Sequence, residues 1–102
     1  ATQLDAARLM VWRAATLKDA GRPCLKEASM AKMFASEEIF KVCQHAVELH
    51  GGNGIMLDFG IEKLFRDAAV FLHMDATVDI SKFKIIKNMF PQTAGKYAGP
   101  EA

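Results

Sequence analysis

The chain has 102 residues, of which 51% are hydrophobic and 25% charged, with only 3 prolines and 7 glycines. One core-forming domain is expected from that length and apolar content, and a multidomain protein, a disordered tail or a low-complexity linker is excluded. Thirteen Lys and Arg against 12 Asp and Glu leave a formal charge of +1, so no whole-chain field draws the protein to nucleic acid or to an acidic membrane surface.

The first periodic segment runs over residues 2–20, with Leu4, Ala7, Val11, Ala14 and Ala15 on one stripe and Ala6, Met10 and Leu17 on the next. That spacing predicts a helix with a broad apolar arc. Thr2 and Asp5 have capping-box spacing, and Gly21, Arg22 and Pro23 end the segment in a tight link. From residue 24 to residue 50, Ala28, Ala31, Ala35, Ile39, Val42, Ala46 and Leu49 recur at intervals of three and four, which predicts one long helix. Gly51, Gly52, Asn53 and Gly54 break it, and irregular chain is expected as far as Gly60. A third helix is expected over residues 60–73, on Ile61, Leu64, Phe65, Ala68 and Leu72. Thr77 suits the N-cap of a fourth, over residues 78–90, carrying Ile80, Phe83, Ile86 and Phe90 until Pro91 interrupts. No segment alternates with period two over a strand's length. The expected fold is all-α, an antiparallel four-helix bundle over residues 1–90 followed by a loose tail at 91–102.

No uncharged apolar run approaches the roughly 18 residues that cross a bilayer, and the opening stretch ATQLDAAR lacks an apolar h-region, so neither a membrane span nor a targeting segment is expected. Cys24 and Cys43 on one helix would lie roughly 30 Å apart and cannot pair. His45 and His50 are five residues apart, and neither HExxH nor CxxC occurs, so no metal is expected. The glycine loop at 51–54 could admit a phosphate or a flavin to its backbone amides, or could simply stop a helix. Asp75, Thr77 and Asp79 gather two carboxylates and a hydroxyl at the last helix join, where capping alone would explain them.

Four stretches in one order carry more information. KEASMAKMFASE from Lys26 to Glu37, VELHGGNG from Val47 to Gly54, EKLFRDA from Glu62 to Ala68 and DATVDI from Asp75 to Ile80 together resemble the C-terminal helical domain of the acyl-CoA dehydrogenases, over about 80 residues.

The resemblance implies a flavoprotein that removes an α-proton and a β-hydride from an acyl-CoA thioester and passes the hydride to FAD. It implies an electron-transferring flavoprotein as acceptor, a homo-oligomer, and a bacterial cytoplasmic or mitochondrial matrix location. Asp75 stands at the place of the catalytic base, where Glu is usual; with one methylene fewer it is either a repositioned base or a relic of one. Glu48, Leu49, His50, Gly51 and Gly52 match the segment that touches FAD across a subunit boundary, with Glu48 replacing the usual Gln. Ala76 stands for the Gly beside the thioester, and Met74 for a common Tyr. Thr77, Val78 and Asp79 match the segment that contacts FAD after the base. Without the family's N-terminal helical and middle β-domains, these 102 residues should not turn over substrate alone. A noncatalytic assembly module derived from the family is the competing reading.

Overall fold

A computed structural model describes residues 1–92. It contains four α-helices: α1 (Thr2–Asp19), α2 (Leu25–Leu49), α3 (Ile61–Phe71) and α4 (Val78–Met89). All lie within two residues of the bounds expected from periodicity, and no strand occurs among the described residues. The tail expected at 91–102 falls outside the described residues from 93 onward. No described helix is long and apolar enough to cross a membrane.

The first link forms as its residue types require. Gly21, at φ 67°, takes the left-handed position after α1 that a side chain would strain. Its amide donates to the Lys18 carbonyl at 3.0 Å, and the Arg22 amide to the Leu17 carbonyl at 2.9 Å. These two bonds are the Schellman pair that satisfies the last carbonyls of a helix. The other end of α1 departs from expectation: Ala1 is the N-cap, with no side-chain capping bond. Thr2 is already helical, and Asp5 pairs with Arg8 at 3.5 Å instead. Starting one residue early puts the Thr2 hydroxyl out of capping position. The irregular stretch is more ordered than expected, since Gly51–Ile55 and Leu57–Phe59 form two short 3-10 turns.

Helix α2 is the element against which α1, α3 and α4 all pack. Gly54 lies against Val47, Phe65 stacks on Phe40 with ring centroids 5.2 Å apart, and the Phe71 carbonyl meets Lys32. The pairs step down α2 as the chain climbs, so α3 runs antiparallel to it. At the α1–α2 contact the buried Glu27 carboxylate lies 3.3 Å from Lys26 and 3.6 Å from Arg13. Its own backbone amide in the first turn of α2, then Lys26 and Arg13, hold its pKa below the ordinary 4.5. A depressed carboxylate pKa contributes stability that is present above the unfolded value and lost as the pH falls through the folded one. Glu27→Gln should therefore flatten the acid limb of stability; denaturant melts from about pH 7 down to about pH 3 would show it. An acid limb as steep as that of the unsubstituted protein would refute the assignment.

The fully buried positions are held by small and polar side chains. Ala31, Ala68 and Ala76 are the buried hydrophobic residues, joined by Ser29, Ser36, Glu38 and Ser81. In α4 this overturns the expected register: Val78, Ser81 and Ile85 turn inward, whereas Ile80, Phe83, Ile86 and Phe90 are exposed. Leu64 of α3 and Leu4, Val11 and Trp12 of α1 are exposed as well. The periodicity is that of a helix apolar on more than one face, and the described residues cover only one of them. Extents of 52 × 31 × 18 Å describe an open, slab-like bundle rather than a closed one.

Candidate functional site: the turn between α3 and α4

The end of α3 and the start of α4 are each closed by specific hydrogen bonds. The amides of His73 and Met74 donate to the Val70 carbonyl at 3.0 and 2.9 Å, finishing α3. The Thr77 hydroxyl accepts from the Ile80 amide at 3.3 Å, so Thr77 is the N-cap that its position promised. Between them the chain must reverse, and it does so at Asp75. With φ at 66° it is the one non-glycine residue in the left-handed region among the described residues. Asp tolerates that conformation better than most residues because its short polar side chain relieves the steric cost. The Asp75 side chain is exposed, while the neighbouring Ala76 is buried.

Lys32, from α2, ties this turn down. Its ammonium donates to the Ala76 carbonyl at 2.9 Å and to the Phe71 carbonyl at 3.4 Å, bracketing Asp75 from both sides. One bond caps the C-terminus of α3, where a cation is favoured by the helix dipole. The sequence pattern gives Lys32 no role beyond its place in the KEASMAKMFASE stretch. The available signal was a lone cation between Ala31 and Met33 on a half-buried helix face.

A cleft of about 600 Å³ opens beside the turn, between Glu37, Phe40 and Lys41 of α2 and Leu72, His73, Thr77, Val78 and Asp79. Thr77, Val78 and Asp79 are thus brought together at one wall. Asp79 leans toward Lys82 at 3.4 Å. On the opposite wall Lys41 donates to Glu38, which does not itself line the cleft, at 2.8 Å, and this bond raises the lysine pKa above its ordinary 10.5. The other Glu38 oxygen, Oε2, is buried without a hydrogen-bond partner among the described residues. A second, mainly apolar cleft of about 690 Å³ runs between α2 and α3 as far as Met74. Asp75 itself lines neither cleft, although its neighbours in sequence do, Met74 the second and His73 and Thr77 the first.

Glu48, Leu49, His50, Gly51 and Gly52 are not part of this cluster. They occupy the other end of α2, sixteen residues from Lys32, or about 24 Å along a helix. Glu48 accepts from Gln44 at 3.3 Å, and His50 Nδ1 lies 2.7 Å from the Ala46 carbonyl, which fixes the ring as a donor there. Leu49 is 88% exposed, and a methyl group added at Gly51 or Gly52 would meet nothing within 4 Å. The backbone at this end is open to approach from outside the chain. Among the described residues no group of three or more His, Cys, Asp or Glu side chains could hold a metal ion, and both cysteines are free.

Fold and turn define an all-α domain in which a long central helix holds, through Lys32, a turn bearing an exposed carboxylate, and is followed at its C-terminal end by a bare glycine turn. The family model for the C-terminal domain of acyl-CoA dehydrogenases matches residues 1–90. The chain is 42% identical over 89 residues to a probable acyl-CoA dehydrogenase, YngJ, of Bacillus subtilis, covering 87% of this chain and 23% of that protein. It is 45% identical over 89 residues to the mitochondrial short/branched chain specific acyl-CoA dehydrogenase of Rattus norvegicus, covering 87% and 21%. A solved structure described as the electron transferring flavoprotein of Acidaminococcus fermentans, studied for flavin-based electron bifurcation, superimposes with a TM-score of 0.84 at 33% identity, covering 86% of this chain and 23% of that one. The protein belongs to the acyl-CoA dehydrogenase family, in which it corresponds to the C-terminal domain. It spans less than a quarter of the length of these relatives.

Proposed function

We propose that residues 1–90 are the C-terminal domain of an FAD-dependent acyl-CoA dehydrogenase, followed by a tail at 91–102, and that Asp75 is the base for α,β-dehydrogenation of an acyl-CoA thioester. The observation that carries this is the Asp75 carboxylate on a left-handed turn held from α2 by Lys32, within a chain of this family. A thioester α-carbon is a weak acid, so its proton leaves only to a base fixed in line with it and shielded from water. Asp75 takes that proton onto its carboxylate. Ala76 lies against the thioester side of the turn, and its methyl group narrows the space available there.

FAD, when bound, supplies the acceptor for the β-hydride. The residues present fit part of such a group. The open backbone of Gly51 and Gly52 leaves room for a flat or anionic ligand, and Thr77, Val78 and Asp79 wall a cleft large enough for one ring system. The α2 wall of that cleft is Glu37, Phe40 and Lys41, ten or more residues before Gly51, or about 15 Å or more along a helix; a separation of that kind suits a flavin shared between subunits, with each chain lending its two surfaces to different copies. Glu48 and Asp79 bring negative charge, so the pyrophosphate must draw its cations from elsewhere. The electron acceptor is an electron-transferring flavoprotein; one relative, 41% identical over 85 residues, is the CarC subunit of the caffeyl-CoA reductase-Etf complex of Acetobacterium woodii.

The direct test is spectroscopic. The dehydrogenase carrying this domain should hold FAD, and its flavin absorbance should bleach on anaerobic addition of a suitable acyl-CoA. Failure to bleach across short, branched and cyclic acyl-CoAs would favour the noncatalytic assembly module.

The exposed faces bear on assembly. Trp12 is 60% exposed, Phe83 59% and Leu64 56%, large apolar side chains that a partner copy would cover. A homo-oligomer is the proposed state, and the 102-residue chain should self-associate at high micromolar concentration. Sedimentation showing a strict monomer would contradict this.

A further inference from the structure

We propose that Lys32 is a positioning residue for Asp75, setting the direction of its carboxylate by clamping the carbonyls of Phe71 and Ala76 on either side of it. The inference rests on the reading of Asp75 as the base and adds a residue 43 positions away, on a different helix. Its geometry is specific. The ammonium of Lys32 is 2.9 Å from the Ala76 oxygen and 3.4 Å from the Phe71 oxygen. The five residues enclosed by those carbonyls, 72–76, contain the one left-handed non-glycine residue described. A residue at φ 66° is strained, and the conformation persists only where its surroundings hold it. Within the turn, the amides of His73 and Met74 reach only back to Val70, and the Thr77 cap begins after Ala76. Among these bonds, the lysine clamp alone ties the two sides of Asp75 to a rigid element.

The bonds leave the Asp75 side chain free for chemistry, because Lys32 binds backbone and not the carboxylate. A salt bridge to the base would oppose its taking a proton, whereas a clamp on the flanking carbonyls fixes the Cα–Cβ direction without that penalty. Removing the clamp frees the 71–72 and 76–77 peptide groups, and with them the segment between that carries Asp75. A displacement of about 1 Å at the reacting atoms costs on the order of 10²-fold in rate.

The experiment uses the flavin-loaded dehydrogenase carrying this domain and follows anaerobic bleaching by acyl-CoA in Lys32→Met, Lys32→Arg, Asp75→Asn and the double variant Lys32→Met/Asp75→Asn. Lys32→Met should slow bleaching per bound flavin at saturating acyl-CoA by about 10²-fold, with the half-saturating acyl-CoA concentration little changed. The primary isotope effect with α-deuterated acyl-CoA should rise, because proton removal becomes more fully rate-limiting. Lys32→Arg, which keeps donors at that position, should recover most of the rate. The double variant should be no slower than Asp75→Asn, since a residue acting through Asp75 has nothing left to position. Where Lys32→Met gives no folded flavoprotein, Lys32→Gln carries the same expectations, its shorter side chain being unable to hold both carbonyls. Loss of FAD or of folded protein with an unchanged rate per flavin would overturn the proposal in favour of a purely structural lysine, as would additive losses in the double variant. If Asp75→Asn itself bleaches at the native rate, the reading of the base fails first, and that result is distinct from a Lys32→Met variant that keeps its rate while Asp75→Asn loses it.

Discussion

Asp75→Asn, introduced into the dehydrogenase that carries this domain, is expected to leave FAD bound and to slow acyl-CoA-dependent bleaching by about 10²- to 10⁴-fold, the contribution typical of a positioned general base. The substitution keeps size and shape, and Asn accepts the left-handed conformation as readily as Asp, so the turn at φ 66° should survive. Only the basic oxygen is lost. An unchanged bleaching rate would place the base elsewhere. Asp79 is the nearest other carboxylate in sequence, but it leads the first turn of α4 and faces Lys82. The partner substitution, Asp75→Glu, sets two effects against each other. The longer side chain extends the carboxylate by one methylene, which at reacting distances of roughly 3 to 3.5 Å changes rate strongly. Against this, Glu is less at ease than Asp in a left-handed conformation. A faster Asp75→Glu enzyme would mean that the pocket is still cut for the usual Glu; a slower one would mean that Asp75 and Ala76 form a repositioned site.

Much of this was legible in the sequence because helix boundaries depend on local chemistry. Gly21 and Arg22 end α1 through bonds to carbonyls three and five residues back, and Thr77 starts α4 through a bond three residues on. These interactions need no knowledge of the rest of the chain. The inward face of α4 was illegible for the opposite reason. Ile80, Phe83 and Ile86 make an apolar stripe as convincing as any core, yet no surface among the described residues covers it. Periodicity reports that a face is apolar, and the identity of its partner is a tertiary property. The Lys32 clamp was hidden in the same way, since a cation reaching two carbonyls more than 38 residues downstream leaves no periodic trace. Of the candidate site, the order of residues 75–79 could be read from resemblance. That Glu48–Gly52 lie at the far end of α2 from them could be foreseen only by noticing that α3 returns along α2.

That return depends on Gly54, and its replacement should be the most damaging single methyl addition to the fold. A Cβ on Gly54 would stand 2.3 Å from the Val47 carbonyl oxygen and 3.0 Å from both the Val47 carbonyl carbon and its Cγ1. The obstruction is backbone rather than a flexible side-chain tip. The same Val47 oxygen accepts from the His50 amide at 3.2 Å, so moving it aside would also disturb the last turn of α2. Gly54→Ala should therefore destabilise the protein by about 1 to 3 kcal/mol or more, as overpacking of a close contact does, lowering the melting temperature by about 4 to 8 °C per kcal/mol in a domain of this size. Gly52→Ala is the matched control, because its added methyl meets nothing within 4 Å and its φ is not positive; it should stay within about 0.5 kcal/mol of the parent. Equal melting of the two variants would show that the turn yields without cost and that the close approach of Gly54 does not hold it. If instead Gly54→Ala alone melts early, and in the flavin-loaded enzyme also weakens retention of FAD, then the contact that seats this turn against α2 is the one that presents Glu48 to Gly52 to the flavin of a neighbouring subunit.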